Sequence, residues 1–305
     1  MQTHKAIAIV ALLSLAGSAA SGAVVFSASG NNAASILPTV DSFRAALGTL
    51  NANAPGSRGT GRREINWDAV PDQFATPNAF PGNFFNAPAA PRARGAEFST
   101  PGTQLQVSAS LASNVGVEFG NLVPGLENDF AVFSPQRLFA SLGSTVTVVD
   151  FFVPGTAVPA TTRAFGAVFT DVDAAGSTTI ELFDVAGRSL GIYEAPQGPT
   201  PSESLSFVGV VLDEAIVASV KIVSGSRNLE SGGTSGDAVV MDDFIYGEPV
   251  CPADFNLDGQ SDFFDYLDFA QAFSAEEAGS DVNHDGQVDF YDYLDFVSAF
   301  SVGCG

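Results

Sequence analysis

Two stretches near the C-terminus repeat one alternation of polar and apolar positions. After Asp265, the apolar residues Tyr266, Phe269, Ala270 and Phe273 fall at i, i+3, i+4 and i+7. After Asp292, Tyr293, Phe296, Val297 and Phe300 do the same. Each run predicts a short amphipathic helix with a single apolar stripe, and two facing stripes would close a small Phe-rich core. Upstream the pattern changes to short Val-, Phe- and Thr-rich runs between turn residues. Strands are expected over 105–109, 115–119, 131–133, 145–152, 163–170, 178–183, 190–194, 206–211, 218–222 and 238–246. Their number and spacing predict an all-β sandwich over 59–249. Val185-Ala186-Gly187-Arg188 is a hairpin turn signal.

The ends of that body read less clearly. Residues 24–58 form a small, polar N-terminal segment, with one short helix over 42–47 that Asp41 would cap and Gly48 would stop. Residues 62–68 alternate as a strand; Trp67, the only Trp, reads as a core or loop-packing residue rather than a sugar-stacking one. Residues 71–101 are Pro/Ala/Phe-rich and irregular, and 247–250 read as a short linker into a module over 250–305.

Just before each C-terminal helix lies an acidic loop. The first runs from Asp254 to Asp265 and the second from Asp281 to Asp292, 27 residues apart; 14 of 20 compared positions are identical. Calcium takes six to eight hard oxygen ligands, and an EF-hand-type loop supplies them from positions 1, 3, 5, 7, 9 and 12 with Gly at 6. In the first loop these are Asp254, Asn256, Asp258, the Gln260 carbonyl, Asp262 and Asp265. In the second they are Asp281, Asn283, Asp285, the Gln287 carbonyl, Asp289 and Asp292. Gly259 and Gly286 hold position 6. A merely solvated acidic run needs neither Asn at 3 nor Gly at 6, so two Ca²⁺ ions are expected. His284, at loop position 4, is expected to point outward.

Composition sharpens this picture. The 305 residues carry a net charge of −22, and 46% are hydrophobic, with 26 Phe. That is enough apolar material for one main domain and one small module. The acidic balance argues against nucleic acid and anionic membranes as partners. Residues 1–23 resemble a secretory signal: Lys5, an apolar run over 6–15, and Ser21-Gly22-Ala23 as the cleavage site. No later run approaches a membrane span, so no transmembrane segment is expected after signal cleavage. In an exported chain the only two cysteines, Cys251 and Cys304, read as a disulfide bracketing the duplication. Between Cys251 and the C-terminus lie twelve carboxylates and no Lys or Arg, so the metal-free module should be largely unfolded.

Candidate chemistry in the body is sparse. Both histidines, His4 and His284, lie outside it, which excludes Ser-His-Asp and Cys-His catalysis and a His-based zinc site there. No catalytic or cofactor-binding residue is assigned. Asp242 and Asp243 are adjacent, and on a regular strand they face opposite sides, a poor acid/base pair. Asp171 and Asp173 share a face of the preceding run. Edge and turn acids are the expected role of all four, with a body calcium site at Asp171, Asp173 or Asp242 as the alternative.

The tandem loops with Asp at position 12, each followed by one helix, resemble a dockerin module. The Gly303-Cys304 ending and the repeated Asp-Tyr-Leu-Asp-Phe resemble a variant found at the C-termini of exported bacterial proteins. Thrombospondin-type repeats share the Asp/Asn spacing but lack the helices and carry internal cysteines. The resemblance implies docking to a cohesin-like or other surface anchoring protein. Positions 10 and 11, Phe263-Phe264 and Phe290-Tyr291, depart from the polar and basic residues that cellulosomal dockerins present to cohesin, which favours an anchoring partner of another kind. From Phe165 onward, Phe165-Gly-Ala-Val-Phe169, Ile180 to Gly187, Phe207 to Val210, Ile216 to Ile222 and Met241 to Gly247 resemble the β-sandwich of PEP-CTERM-type exported proteins. That implies a jelly-roll-like sandwich related in shape to carbohydrate-binding modules. The expectation is a secreted or cell-surface, calcium-binding, non-catalytic protein, with polysaccharide as a possible ligand. The alternative is a dockerin-borne glycoside hydrolase using carboxylates.

Overall fold

The computed structural model describes residues 22–231 and 235–304; all but the end of the secretory-signal reading falls outside them. The fold is mainly β: two antiparallel sheets and three α-helices among the described residues. The first sheet is 7-stranded, in the order β1 (Val24–Gly30), β10 (Leu205–Val211), β7 (Ala164–Thr170), β12 (Val240–Gly247), β5 (Phe139–Leu142) and β4 (Gln104–Val107), with β2 (Arg62–Ile65) also paired to β12. The second is 5-stranded: β3 (Ala96–Ser99), β6 (Val146–Phe151), β11 (Ser219–Val223), β8 (Thr179–Phe183) and β9 (Ser189–Glu194).

The main core lies between the sheets. Phe139, Phe165, Phe169, Phe244 and Tyr246 of the first sheet meet Phe98, Val149, Phe151, Ile180, Leu182, Val220 and Ile222 of the second. Strands of the second sheet alternate buried and half-buried positions, the signature of one face on a core. In contrast, β7, β10 and β12 are buried at every position. The cause is α1 (Ala33–Leu47), which covers their outer face with Ile36, Val40, Phe43 and Leu47. Phe43 sits over Gly166 and Gly209, which pair across β7 and β10. A Cβ on either glycine would come within 2.9 Å of the Phe43 ring, so the absence of side chains there lets the helix approach.

Residues 24–58 are therefore not a separate segment. The strand β1 pairs with β10 over its whole length, and α1, at 15 residues, is more than twice as long as the sequence suggests. The helix starts at Asn32, whose side chain accepts the Ser35 N–H at 3.1 Å, not at Asp41. Pro38 inside the helix made its first turns look non-helical.

Other expectations held or failed for local reasons. The strands expected from 145 to 246 are present, as is the β8–β9 hairpin around Gly187. Residues 115–119 are irregular, with Glu118 and Phe119 in the left-handed region (φ 49° and 64°), which no strand accommodates. Residues 131–133 are irregular too: the Ala131 and Phe133 N–H groups donate to the Thr170 hydroxyl and the Asp242 carboxylate instead of a ladder. The strand at 62 ends at Ile65, because Trp67 turns left-handed. Its indole stacks on Phe139 at 4.1 Å and donates from Nε1 to the Asp242 carbonyl at 2.6 Å, so Trp67 is a core residue.

The expected linker at 247–250 is buried throughout. Glu248 accepts both Nε and Nη2 of Arg63 at 2.6 Å. A pair this closed to water is bound into the fold and leaves no freely swinging hinge.

Candidate functional site

The C-terminal loops build the same hydrogen-bond scaffold twice. In the first, Asp254 Oδ1 accepts the Asp258 N–H at 3.0 Å and Oδ2 accepts the Gly259 N–H at 2.9 Å. In the second, Asp281 accepts the Asp285 and Gly286 N–H groups at 3.1 and 2.9 Å. Asn256 and Asn283 accept the N–H two residues on, and Asp258 and Asp285 do likewise. These are Asx-type turns, which wrap the backbone around the loop centre. Gly259 and Gly286 sit at φ 88° and 90°, the left-handed turn the sequence assigned to position 6. Leu257 and His284, at position 4, also adopt positive φ, which the sequence did not signal.

Position 12 joins each loop to its helix. Asp265 accepts the Asn256 N–H at 3.1 Å and the Asp262 N–H at 2.8 Å; Asp292 accepts the Asn283 and Asp289 N–H groups at the same distances. Asp262 and Asp289 cap α2 (Phe263–Ser274) and α3 (Phe290–Val302) in reciprocal capping boxes. Asp254, Asp265 and Asp292 are buried, at 2%, 0% and 0% exposure. Burial pushes the Asp254 carboxyl above its usual range, with Asp265 and Asp258 adding to it against the backbone donors.

Buried carboxylates that accept only backbone N–H groups and, among the described residues, form no salt bridge with Lys or Arg fit a hard cation, and the donor set is all oxygen. Among the described residues, no three His, Cys, Asp or Glu side chains converge as a ready-made metal group. The carboxylates are turned onto backbone N–H groups instead.

The helices meet as their stripes predict. Phe269 stacks on Phe296 at 4.0 Å, and Phe255 from the first loop closes edge-on against both rings. The Cys251–Cys304 disulfide brackets the module, with Cα atoms 5.6 Å apart. Phe263, Phe264, Phe290 and Tyr291, at loop positions 10 and 11, are 64–66% exposed. The second loop also touches the body: Arg188 Nη2 donates to the carbonyls of Asn283 (2.7 Å) and His284. His284 is half-buried rather than freely exposed.

The body acids fall into two groups that the sequence did not separate. Strand β12 carries a bulge between Met241 and Phe244, so Asp242 and Asp243 do not alternate across the sheet. Both reach Ser134, whose hydroxyl lies 3.2 Å from Asp242 Oδ1 and 2.7 Å from Asp243 Oδ1. Asp242 also accepts the Phe133 N–H at 2.6 Å. Burial, then the neighbouring Asp243, drives the Asp242 carboxyl well above its usual range. Asp171 and Asp173 lie elsewhere, electrostatically coupled to Asp129 and Asp237. Asp171 is at φ 69°, its Oδ1 has no hydrogen-bond partner, and burial plus Asp173 pushes its carboxyl up to about 8. Asp242 thus belongs with the 133–134 loop and not with Asp171 and Asp173.

The chain matches no protein-family model and no curated protein. Among solved structures, 66% of the chain is similar to 27% of an arabinose-bound α-L-arabinofuranosidase, at 12% identity and a TM-score of 0.29. A further 54% coverage is found against 22% of the enzymatically active domain of bacteriophage CBA120 tailspike protein 4, at 10% identity and a TM-score of 0.16. The chain spans about a quarter of either structure, and both similarities are too slight to carry an argument. No helix among the described residues is long and apolar enough to cross a membrane.

Proposed function

We propose that this is an exported, calcium-dependent, non-catalytic protein: a jelly-roll-like sandwich attached through a dockerin-like C-terminal module. The module takes one Ca²⁺ in each loop. Asp254, Asn256, Asp258, the Gln260 carbonyl, Asp262 and Asp265 hold the first ion, and Asp281, Asn283, Asp285, the Gln287 carbonyl, Asp289 and Asp292 the second. The observation that carries this reading is the duplicated loop scaffold, ending twice in an aspartate at 0% exposure that, among the described residues, accepts backbone N–H groups and forms no salt bridge. Bound calcium supplies the positive charge that these carboxylates otherwise lack. The body is then a binding or structural module at the cell surface, with polysaccharide as its ligand class and a cohesin-like or other anchoring protein as the partner of the module.

The enzyme alternative is weaker. Of the Asp242–Asp243 pair, Asp242 is fully buried and committed to the 133–134 backbone, out of reach of a substrate.

Calorimetric titration of the mature protein with Ca²⁺ tests the proposal. Two ions per chain are expected, and none for the Asp254→Ala/Asp281→Ala variant. Unchanged stoichiometry in that variant would show the ligand assignment to be wrong.

A further inference from the structure

A cavity of about 500 Å³ opens on the body between α1, β2 and the 133–135 loop. That volume is in the range of small-ligand sites. Its polar wall holds Arg44, Glu64, Arg94 and Asp243, and its rim carries Leu37 and Leu50, 39% and 50% exposed. Arg44 is satisfied: it forks onto Glu64 at 2.9 and 3.1 Å and lies 3.5 Å from Asp243.

Arg94 is not satisfied in that way. It is 9% exposed, its Nη1 donates to the Glu64 carbonyl at 2.8 Å, its Nε to the Pro91 carbonyl at 3.3 Å, and it lies 4.6 Å over the Phe85 ring. Among the described residues no carboxylate forms a salt bridge with it, while seven of the other cationic side chains are counted among the ion pairs or hydrogen-bonded to backbone oxygen at the surface. Burying a guanidinium without a counter-charge is costly. A second group in the same wall is also unfinished: Asn53 Oδ1 is shut from solvent and has no hydrogen-bond partner.

From these observations we propose that the cavity binds an acidic sugar residue, a ring bearing hydroxyls and one carboxylate, as in a polyuronate. The ligand carboxylate pairs with Arg94, in the bidentate geometry a guanidinium favours. Ring hydroxyls donate to the carboxylates of Glu64 and Asp243. The C–H face of the ring rests on Leu37 and Leu50. A phosphate fits less well: it brings up to two negative charges and few donors to a wall that already holds two carboxylates and one unpaired cation. A neutral sugar would leave Arg94 without a counter-charge.

This inference rests on the reading of the body as a polysaccharide-binding module, and the test separates the two. Mature full-length protein in calcium is titrated with trigalacturonate and, in parallel, with cellotriose and xylotriose. Binding of trigalacturonate, weakened by added salt and absent or at least 10-fold weaker for the neutral sugars, is expected. Two variants follow. Arg94→Lys keeps the charge and loses the fork; Leu50→Asp places a repelling carboxylate on the exposed rim, where folding is not at stake. Each should weaken trigalacturonate binding by roughly 10-fold or more with the melting temperature of Leu50→Asp unchanged. Binding of the neutral sugars alone, or trigalacturonate binding indifferent to Leu50→Asp, would overturn this inference and leave the polysaccharide reading standing. No binding of any of the three sugars would overturn both.

Discussion

Replacing Glu248 by Gln removes one charge from the most enclosed ion pair among the described residues. The Arg63 and Glu248 side chains are 0% and 1% exposed. Arg63 uses its whole donor fork. Nε and Nη2 reach Glu248 at 2.6 Å, Nη1 reaches the carbonyls of Ala52 and Ala93 at 2.6 and 3.0 Å, and Nη2 also reaches the Gly56 carbonyl at 3.3 Å. Glu248 accepts in addition from Asn51 Nδ2 at 2.9 Å and the Arg58 N–H at 3.0 Å. Gln keeps the shape and one acceptor, but it leaves the Arg63 charge buried without its counter-charge. Breaking such a pair from one side costs about 3–5 kcal/mol. At this size, that is a fall in melting temperature of roughly 10 °C. Urea unfolding of the full-length protein in calcium, followed by Trp67 fluorescence, measures it. Arg63→Met should cost at least as much, because four backbone carbonyls, those of Ala52, Ala54, Gly56 and Ala93, lose their donor, and the double variant should cost clearly less than the sum. A loss below about 1 kcal/mol for Glu248→Gln, or simple additivity of the two, would refute the reasoning.

Three further outcomes follow from the same structure. Removing the disulfide with Cys251→Ser/Cys304→Ser opens a loop with a sequence separation of 53 and should destabilise the module by ~4 kcal/mol; proteolysis at limiting calcium reports it as earlier cleavage within 251–304. Asp171 holds its proton up to about 8 when folded and releases it near 4 when unfolded, so the folded state is the tighter proton binder. Stability contributed by this group is full below about pH 4, declines as pH rises to about 8 and is level beyond; Asp171→Asn should flatten a melting-temperature profile over that window and raise stability at pH 8.5 by roughly 2 kcal/mol, after allowance for screening. Gly209→Val drives a branched side chain into Phe43 and should cost about 1–3 kcal/mol by thermal melting, whereas Gly187→Ala, with nothing within 4 Å, should show only the backbone penalty of its positive φ.

The sequence by itself determined what depends on neighbours along the chain. The two C-terminal helices, their stripes, the glycine turns at loop position 6 and the identity of the disulfide partners are local patterns or small-number arithmetic, and each was legible. So were most strands from 145 onward, whose runs of Val, Phe and Ile are apolar enough to stand out. What only the tertiary structure decided depends on partners far away in sequence. Strand β1 has only three large apolar residues, Val24-Val25-Phe26, before the small Ser27-Ala28-Ser29-Gly30, and its place is fixed by the ladder that β10 offers it; β5 is four residues of a buried sheet interior. The bulge in β12 brings Asp242 and Asp243 to one serine, against the simple alternation of a regular strand. Glu248 reads as part of a short linker because nothing beside it announces Arg63, 185 positions away. The unpaired Arg94 is equally silent in sequence. A buried charge is recognised by the groups that surround it, and those are assembled only when the sheets close.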